Sequence, residues 1–306
     1  MMVMAIGIEF KNGSVNLVEA KVKRNSVVCK SAFSFDFEGD WIDQQGISDS
    51  NFDNLLMVFE QKLEEFGLSD IREGYVCLNN TSVIYREIIT PKIDEKKLAF
   101  IVRSEMMDTL NLTPDYIMDF IILESILDEN EREAYRLLAV AVLDSALESY
   151  INLLRSLKIK PVVIDSATNA IIKVMETYPV MEKMDQVIIT EVGDGHLRLY
   201  LFDRGQYILS RNVRLVTYSD FARDEYLDTI EDNISKMIQF SYTRGIKNGV
   251  DKIFLIGKDE ILDEINERVN KNLLVDSEIL SQPSFVDGDC EFQTQYTNVL
   301  GTMLRK

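Results

Sequence analysis

Two stretches decide how this chain is read: Ile6-Gly7-Ile8-Glu9-Phe10-Lys11-Asn12-Gly13-Ser14 near its start, and Val187-Ile188-Ile189-Thr190-Glu191-Val192-Gly193-Asp194-Gly195 past its middle. Each is an apolar run that meets a glutamate and then a Gly-containing turn. After the first, Val15 to Lys23 alternates apolar and polar residues, so the pair is expected to form a β-hairpin that turns at Asn12-Gly13. Val27 to Phe37 extends it to a three-stranded meander, because Phe33, Phe35 and Phe37 fall at period two. After the second stretch, Leu197 to Phe202 and Tyr207 to Val213 repeat the meander.

Outward from these turns, helical and strand patterns alternate. Trp41 to Ser50 reads as an acidic loop; then Phe52, Leu55, Leu56, Phe59 and Leu63 recur at helical spacing until Gly67 stops them. Strands are expected at Tyr75 to Leu78 and Val83 to Ile89. A helix should open at Asp94 and run through Leu98, Ile101 and Val102 to Leu110, with two more strands at Ile117 to Leu123 and Ala134 to Leu143. Leu143, Leu147, Tyr150, Ile151 and Leu154 share one helical face. Val162 to Ile164 then reads as a buried strand, and Asp165 as the N-cap of a helix carrying Ala167, Ala170, Ile171 and Val174. Past the second meander come a long helix through Leu227, Ile230, Ile234, Met237 and Ile238, a strand at Ile253 to Gly257, and a helix marked by Ile261, Ile265 and Val269. Two copies of meander, helix and strand are a weak internal repeat, and they predict a two-lobed α/β protein with a ligand cleft between lobes.

Composition narrows the partners. The 306 residues are 46% hydrophobic and 27% charged with only 5 prolines, which is enough to build ordinary globular cores. Lys and Arg number 33 against 51 Asp and Glu, a net charge of −18 that is repelled by nucleic-acid phosphates and anionic bilayers. Lys21, Lys23, Arg24 and Lys30 alternate with apolar residues like a solvated strand face. No run approaches the roughly 20 apolar residues needed to span a bilayer, and Met1 to Phe10 lacks a basic n-region. A cytoplasmic protein without direct membrane insertion is therefore expected. Cys29, Cys77 and Cys290 are far apart in sequence, lack metal-ligand spacing and read as reduced core residues, so no metal site is expected. His196 is the only histidine, so any Ser/His/Asp machine would have to run through it. No catalytic residue is assigned.

The two acidic turns resemble the two phosphate loops of the actin-like ATPase superfamily, whose fold is a duplicated ribonuclease H-like one with two lobes. More particularly, the chain resembles the PilM family of type IV pilus assembly. The likeness runs through Ala139-Val140-Ala141-Val142, Leu147 to Lys160, Pro161-Val162-Val163-Ile164-Asp165 with Ala167, Leu227 to Tyr242, Val250-Asp251-Lys252-Ile253 and Asn298-Val299-Leu300-Gly301. It implies a first lobe over 1–180 with an inserted small subdomain at about 85–165, a second lobe over 181–290, and a segment, 291–306, that returns to the first lobe. It also implies a scaffold peripheral to the cytoplasmic membrane, docking the N-terminal tail of the membrane protein PilN and connecting it to the motor ATPases and platform proteins of the pilus. The expected tail groove holds Ile84, Arg86 and Ile88 with Tyr116 and Phe120, although alternating Ile and Tyr also suit a core.

Departures from the family pattern fall on the nucleotide positions. The resemblance assigns Glu9, Lys11, Asn12 and Gly13 to the first phosphate loop, Glu191, Gly193, Asp194 and Gly195 to the second, and Gly257 to the adenosine loop. Glutamates replace the expected aspartates that would order the water shell of Mg²⁺. Lys11 stands where a glycine would let phosphate approach the backbone, and Lys258 where a second glycine would leave room for a base. Gly193-Asp194-Gly195 still offers backbone donors, yet a plain hairpin turn selects the same residues. Three partial losses in three loops imply that ATP with Mg²⁺ binds weakly or not at all. An ATPase or kinase of the same superfamily stands as the alternative to the scaffold, and self-association into a homo-oligomer would have to overcome −18 per subunit.

Overall fold

Alternating side chains become a pleated strand where one face can be covered, and strands buried on both faces read as continuous apolar runs. The first meander uses both rules over β1 (Met4–Phe10), β2 (Ser14–Lys23) and β3 (Ser26–Asp36) in the computed structural model, which describes residues 4–193, 195–216, 218–219, 221–243 and 249–305. β1 is buried at every position from Ala5 onward, whereas β3 alternates. Residue contacts divide the chain into two compact units, one made of Met1–Ile8, Asn16–Phe33 and Ala167–Lys306, the other of Glu9–Val15 and Ser34–Ser166. The division falls within β1, β2 and β3 themselves.

In the second of these units, the expected loop at Trp41 to Ser50 instead carries two short paired strands, β4 (Ile42–Asp43) and β5 (Gly46–Ile47). Burial explains the difference: Ile42 and Ile47 are enclosed, and the Ile47 N–H donates to Ser149 Oγ at 2.9 Å. α1 (Phe52–Glu65) buries Leu55, Phe59 and Leu63. It ends in a Schellman motif, with Leu68 N–H donating to Leu63 C=O, Gly67 N–H donating to Glu64 C=O, and Gly67 at φ +70°. β6 (Glu73–Leu78) follows.

A three-stranded antiparallel sheet then forms from β7 (Ile84–Pro91), β8 (Tyr116–Leu127) and β9 (Glu133–Leu143), in the order β7-β9-β8. α2 (Glu95–Leu110) precedes β8, and its N-cap is Asp94, whose carboxylate accepts from Lys96 N–H at 3.0 Å. Ile88, Leu98, Val102, Met106, Leu137, Ala139 and Ala141 make a separate core for this sheet and helix. On the sheet's other face Arg136 bridges Glu124 at 2.6 Å and Glu87 at 3.1 Å, which ties the three strands together across their width. α3 (Asp144–Ser156) returns the chain to β10 (Lys160–Ser166), which pairs in parallel with β6. Asp165 is not the N-cap expected from the sequence. It lies within β10, its carboxylate accepts from Ser166 N–H at 2.8 Å, and Ser166 separates it from α4 (Ala167–Met175).

The first unit is built on the second meander, β11 (Gln186–Gly193), β12 (His196–Asp203) and β13 (Gln206–Arg214). α5 (Arg223–Thr243), β14 (Lys252–Gly257), α6 (Asp259–Asn272) and β15 (Ser277–Ile279) complete a five-stranded sheet of order β13-β12-β11-β14-β15. Leu199, Ile230, Ile234, Ile253, Leu255 and Leu262 lie at the centre of its core. β16 (Val286–Gly288) pairs in parallel with β3, and α7 (Thr297–Met303) closes the chain. The other large sheet has the order β10-β6-β1-β2-β3-β16. Among the described residues, no helix is long and apolar enough to cross a membrane.

α7 is buried at every position and packs on α4. Gly301 makes that contact, since a Cβ there would lie 2.6 Å from the Ala170 carbonyl oxygen and 2.7 Å from Val174 Cγ2. Helix propensity favours Ala over Gly by about 1 kcal/mol. A backbone oxygen cannot swing aside, however, so overpacking should outweigh propensity, and Gly301→Ala should destabilise the protein by about 1–3 kcal/mol. Urea unfolding followed by circular dichroism measures this; an unchanged or higher midpoint would show that α4 and α7 are not pressed together at Gly301.

Candidate functional site

The first hairpin is held by its carboxylate. Glu9, fully buried in β1, accepts from Asn79 Nδ2 at 2.8 Å, and Asn79 N–H donates to Phe10 C=O at 2.9 Å. Asn79 begins the loop between β6 and β7, and the next three residues extend the same network. Asn80 Nδ2 donates to Phe10 C=O at 3.0 Å, Thr81 N–H to Asn12 Oδ1 at 3.2 Å, and Ser82 Oγ to Asn80 Oδ1 at 2.6 Å. Below this loop Phe10 packs on Tyr150, ring centroids 5.0 Å apart, and burial pushes the Tyr150 phenol up to about 12 against the opposing effect of Ser82 and Asn80.

The turn closes over Lys11, whose N–H donates to Ser14 C=O at 3.0 Å. Neither Asn12 nor Gly13 takes a positive φ, so this Asn-Gly is not the left-handed two-residue turn that the dipeptide favours in short hairpins. Asn12 is used for its side chain, and Gly13 C=O accepts from Phe37 N–H at 3.0 Å. Lys11 is only 9% exposed. Of these bonds one uses a backbone N–H of the turn, that of Lys11; Asn12 engages its side-chain oxygen and Gly13 its carbonyl.

The second hairpin repeats the central device. Glu191, buried in β11, accepts from Asn298 Nδ2 at 2.8 Å and from the Tyr200 hydroxyl at 2.9 Å. Its cross-strand partner Arg198 is buried as well and donates to Asn212 Oδ1 at 2.6 Å. Gly193 faces His196 across the end of the hairpin, and a Cβ there would lie 2.2 Å from the imidazole, so the ring occupies the space a side chain would need. Gly193 C=O accepts from the Tyr226 hydroxyl at 3.3 Å. Gly195 sits at φ +73° with open space around it, and its C=O accepts from Leu215 N–H. Asp194 lies outside the described residues.

Gly257, expected in an adenosine loop, has a packing reason to be glycine. At φ +148° it pairs with Val192, and a Cβ would lie 2.3 Å from the Val192 carbonyl oxygen. Thr294 Oγ1 accepts from Gly257 N–H at 3.1 Å and donates to its C=O at 2.9 Å. Lys258 occupies the N-cap position of α6 with an extended backbone. Glu9 and Glu191, which stand where the resemblance expects aspartates, are both enclosed and accept from amide or phenol donors, as carboxylates that pin a hairpin would. Among the described residues, no group of three or more acidic, His or Cys side chains is arranged to hold a metal.

Ile84, Arg86, Ile88, Tyr116 and Phe120 come together on one face of the small sheet, through registers such as Arg86↔Ala139 and Phe120↔Ala139. It is the face that α2 covers. Ile88 is enclosed there; Ile84, Tyr116 and Phe120 are half-buried against the same core, and Arg86 is exposed. Ile88 is therefore a core residue and not a groove surface. Sequence reasoning missed Asn79, Asn298 and Thr294 as the partners of the loop residues. An Asn-Asn pair directly after an apolar strand was the available signal for the first, and nothing local marked the other two.

No curated protein sequence matches the chain. Among solved structures, a PilM-PilN type IV pilus biogenesis complex superposes with a TM-score of 0.79 at 18% identity, covering 99% of this chain and 98% of that one. A Bacteroides thetaiotaomicron protein of unknown function with an actin-like ATPase fold gives 0.52 at 11% identity, with 90% of each chain covered. The ethanolamine utilization protein EutJ from Carboxydothermus hydrogenoformans gives 0.50 at 10% identity, over 98% of this chain and 89% of that one. The fold is thus the actin-like one expected from the paired hairpins. The family described as Type IV pilus assembly protein PilM matches residues 7–215, from the first hairpin through the whole second meander, and the chain belongs to that family.

Proposed function

We propose that this protein is a non-catalytic scaffold of type IV pilus assembly, which docks the short cytoplasmic N-terminal tail of a PilN-type membrane protein and connects it to the motor ATPases and platform proteins. It would then sit at the cytoplasmic membrane through that partner. The observation that carries the reading is the use made of Glu9 and Glu191: both carboxylates at the phosphate-type turns are buried and hydrogen-bonded to asparagine amides. The name of the structural neighbour, a PilM-PilN complex, supports the choice of partner.

We take the small sheet and α2 as the inserted subdomain and place the tail along the rim of that sheet, beside Ile84, Arg86, Tyr116 and Phe120. An extended tail would gain main-chain hydrogen bonds and apolar contacts there. A net charge of −18 would steer a basic or neutral juxtamembrane tail toward the protein, so salt should slow association more than it weakens the docked complex.

Titration of a labelled tail peptide tests this directly. Tyr116→Asp should weaken binding about tenfold or more, the equivalent of 1.4 kcal/mol. Because Tyr116 also props α2, it is paired with Arg86→Ala, which removes an exposed side chain and should weaken binding while leaving the melting temperature unchanged. Full-strength binding by both variants would overturn the placement of the tail.

Nucleotide binding is expected to be weak, since Lys11 and Lys258 crowd two points of close approach. The double substitution Lys11→Gly, Lys258→Gly should raise affinity for labelled ATP with Mg²⁺. Tight, Mg²⁺-dependent binding and turnover by the unaltered protein would favour an ATPase of the same fold and contradict the scaffold reading.

A further inference from the structure

The pairing of β16 with β3 brings together two of the three cysteines that sequence spacing keeps far apart. In that parallel ladder Gly288 stands opposite Cys29, so closely that a Cβ at Gly288 would lie 1.9 Å from the Cys29 carbonyl oxygen. Cys290 follows two residues further on, where the strand has ended and the chain bends. Cys29 and Cys290 line one small apolar cavity together with Val18, Ala32, Val286 and Phe292. Cys29 is buried, Cys290 is half-exposed, and Cys77 is buried on β6. We propose that Cys29 and Cys290 are a redox-responsive pair, reduced in an ordinary cytosol and closing to a disulfide under oxidising challenge, which then staples the segment after β16 to β3.

The chemistry balances with a low-molecular-weight disulfide such as oxidised glutathione. The Cys290 thiolate, reachable from solvent, attacks one of its sulfurs, forms a mixed disulfide and expels the first small thiol, which takes up a proton. Cys29 then gives up its proton and attacks Cys290 Sγ; the protein disulfide forms and the second small thiol leaves. Two electrons and two protons pass to the small disulfide, which ends as two thiols.

Burial, then the hydrogen bond and charge of Cys290, then the charge of Glu19 hold the Cys29 thiol well above the usual range. Cys290, the cysteine solvent can reach, therefore attacks first, and the buried Cys29 resolves the mixed disulfide.

The test uses the full chain in glutathione redox buffers of increasing poise, read by intact mass after alkylation and by non-reduced peptide mapping. Oxidation should remove two hydrogens, yield a single Cys29–Cys290 linked peptide and raise the melting temperature by about 5 °C or more, all reversed by dithiothreitol. Cys290→Ser should abolish the linkage, whereas Cys77→Ala should leave it intact. Persistent glutathione on Cys290, a linkage through Cys77 or between molecules, or both thiols remaining alkylatable would each overturn the proposal.

Discussion

A buried carboxylate accepting from an asparagine amide holds each of the two phosphate-type hairpins in place. An ionised carboxylate shut away from water costs several kcal/mol unless its oxygens are hydrogen-bonded, so wherever β1 and β11 carry a glutamate some donor must come to meet it. Asn79 does so for Glu9, and Asn298 with Tyr200 does so for Glu191. In the first hairpin this fixes the whole Asn79 to Ser82 loop onto the turn; in the second it fixes α7 onto β11. The same bonds occupy oxygens that would otherwise be free to order the water around a metal ion.

The local reasons for the structure were written in adjacent residues and could be read from them. Asp94 caps α2, Gly67 closes α1 in a Schellman motif, and the strand periodicities of both meanders appear as strands. What escaped was non-local. Asn79 lies 70 residues from Glu9 and Asn298 lies 107 from Glu191, and no window of sequence joins them. The strands β4 and β5 depend on Ser149, far along the chain in α3. Asn12-Gly13 has the composition of a left-handed turn but is recruited for a side-chain acceptor, and Gly257 reads as a ligand glycine but is required by the close approach of Val192. In each case a tertiary contact, and not the local pattern, accounts for what the residue does.

The small sheet shows the opposite economy. Its core is separate and modest, and Arg136 joins its three strands through Glu87 and Glu124. Beside those locked strands the rim carries the half-buried Ile84, Tyr116 and Phe120 and the exposed Arg86. A half-buried sheet rim offers unpaired main-chain groups beside apolar side chains, which is what an extended segment needs in order to add to a sheet. The actin-like frame is kept, and the tail site proposed above would lie on the small sheet of β7, β8 and β9.

Hydrogen exchange with mass spectrometry, run on the full chain with tail peptide and separately with ATP and Mg²⁺, tests that division of labour most directly. The account predicts slowed exchange in β7 and β8 with the peptide, and no change at residues 9–13 or 191–193 with the nucleotide. Protection of both hairpins by ATP, with β7 and β8 indifferent to the peptide, would contradict it.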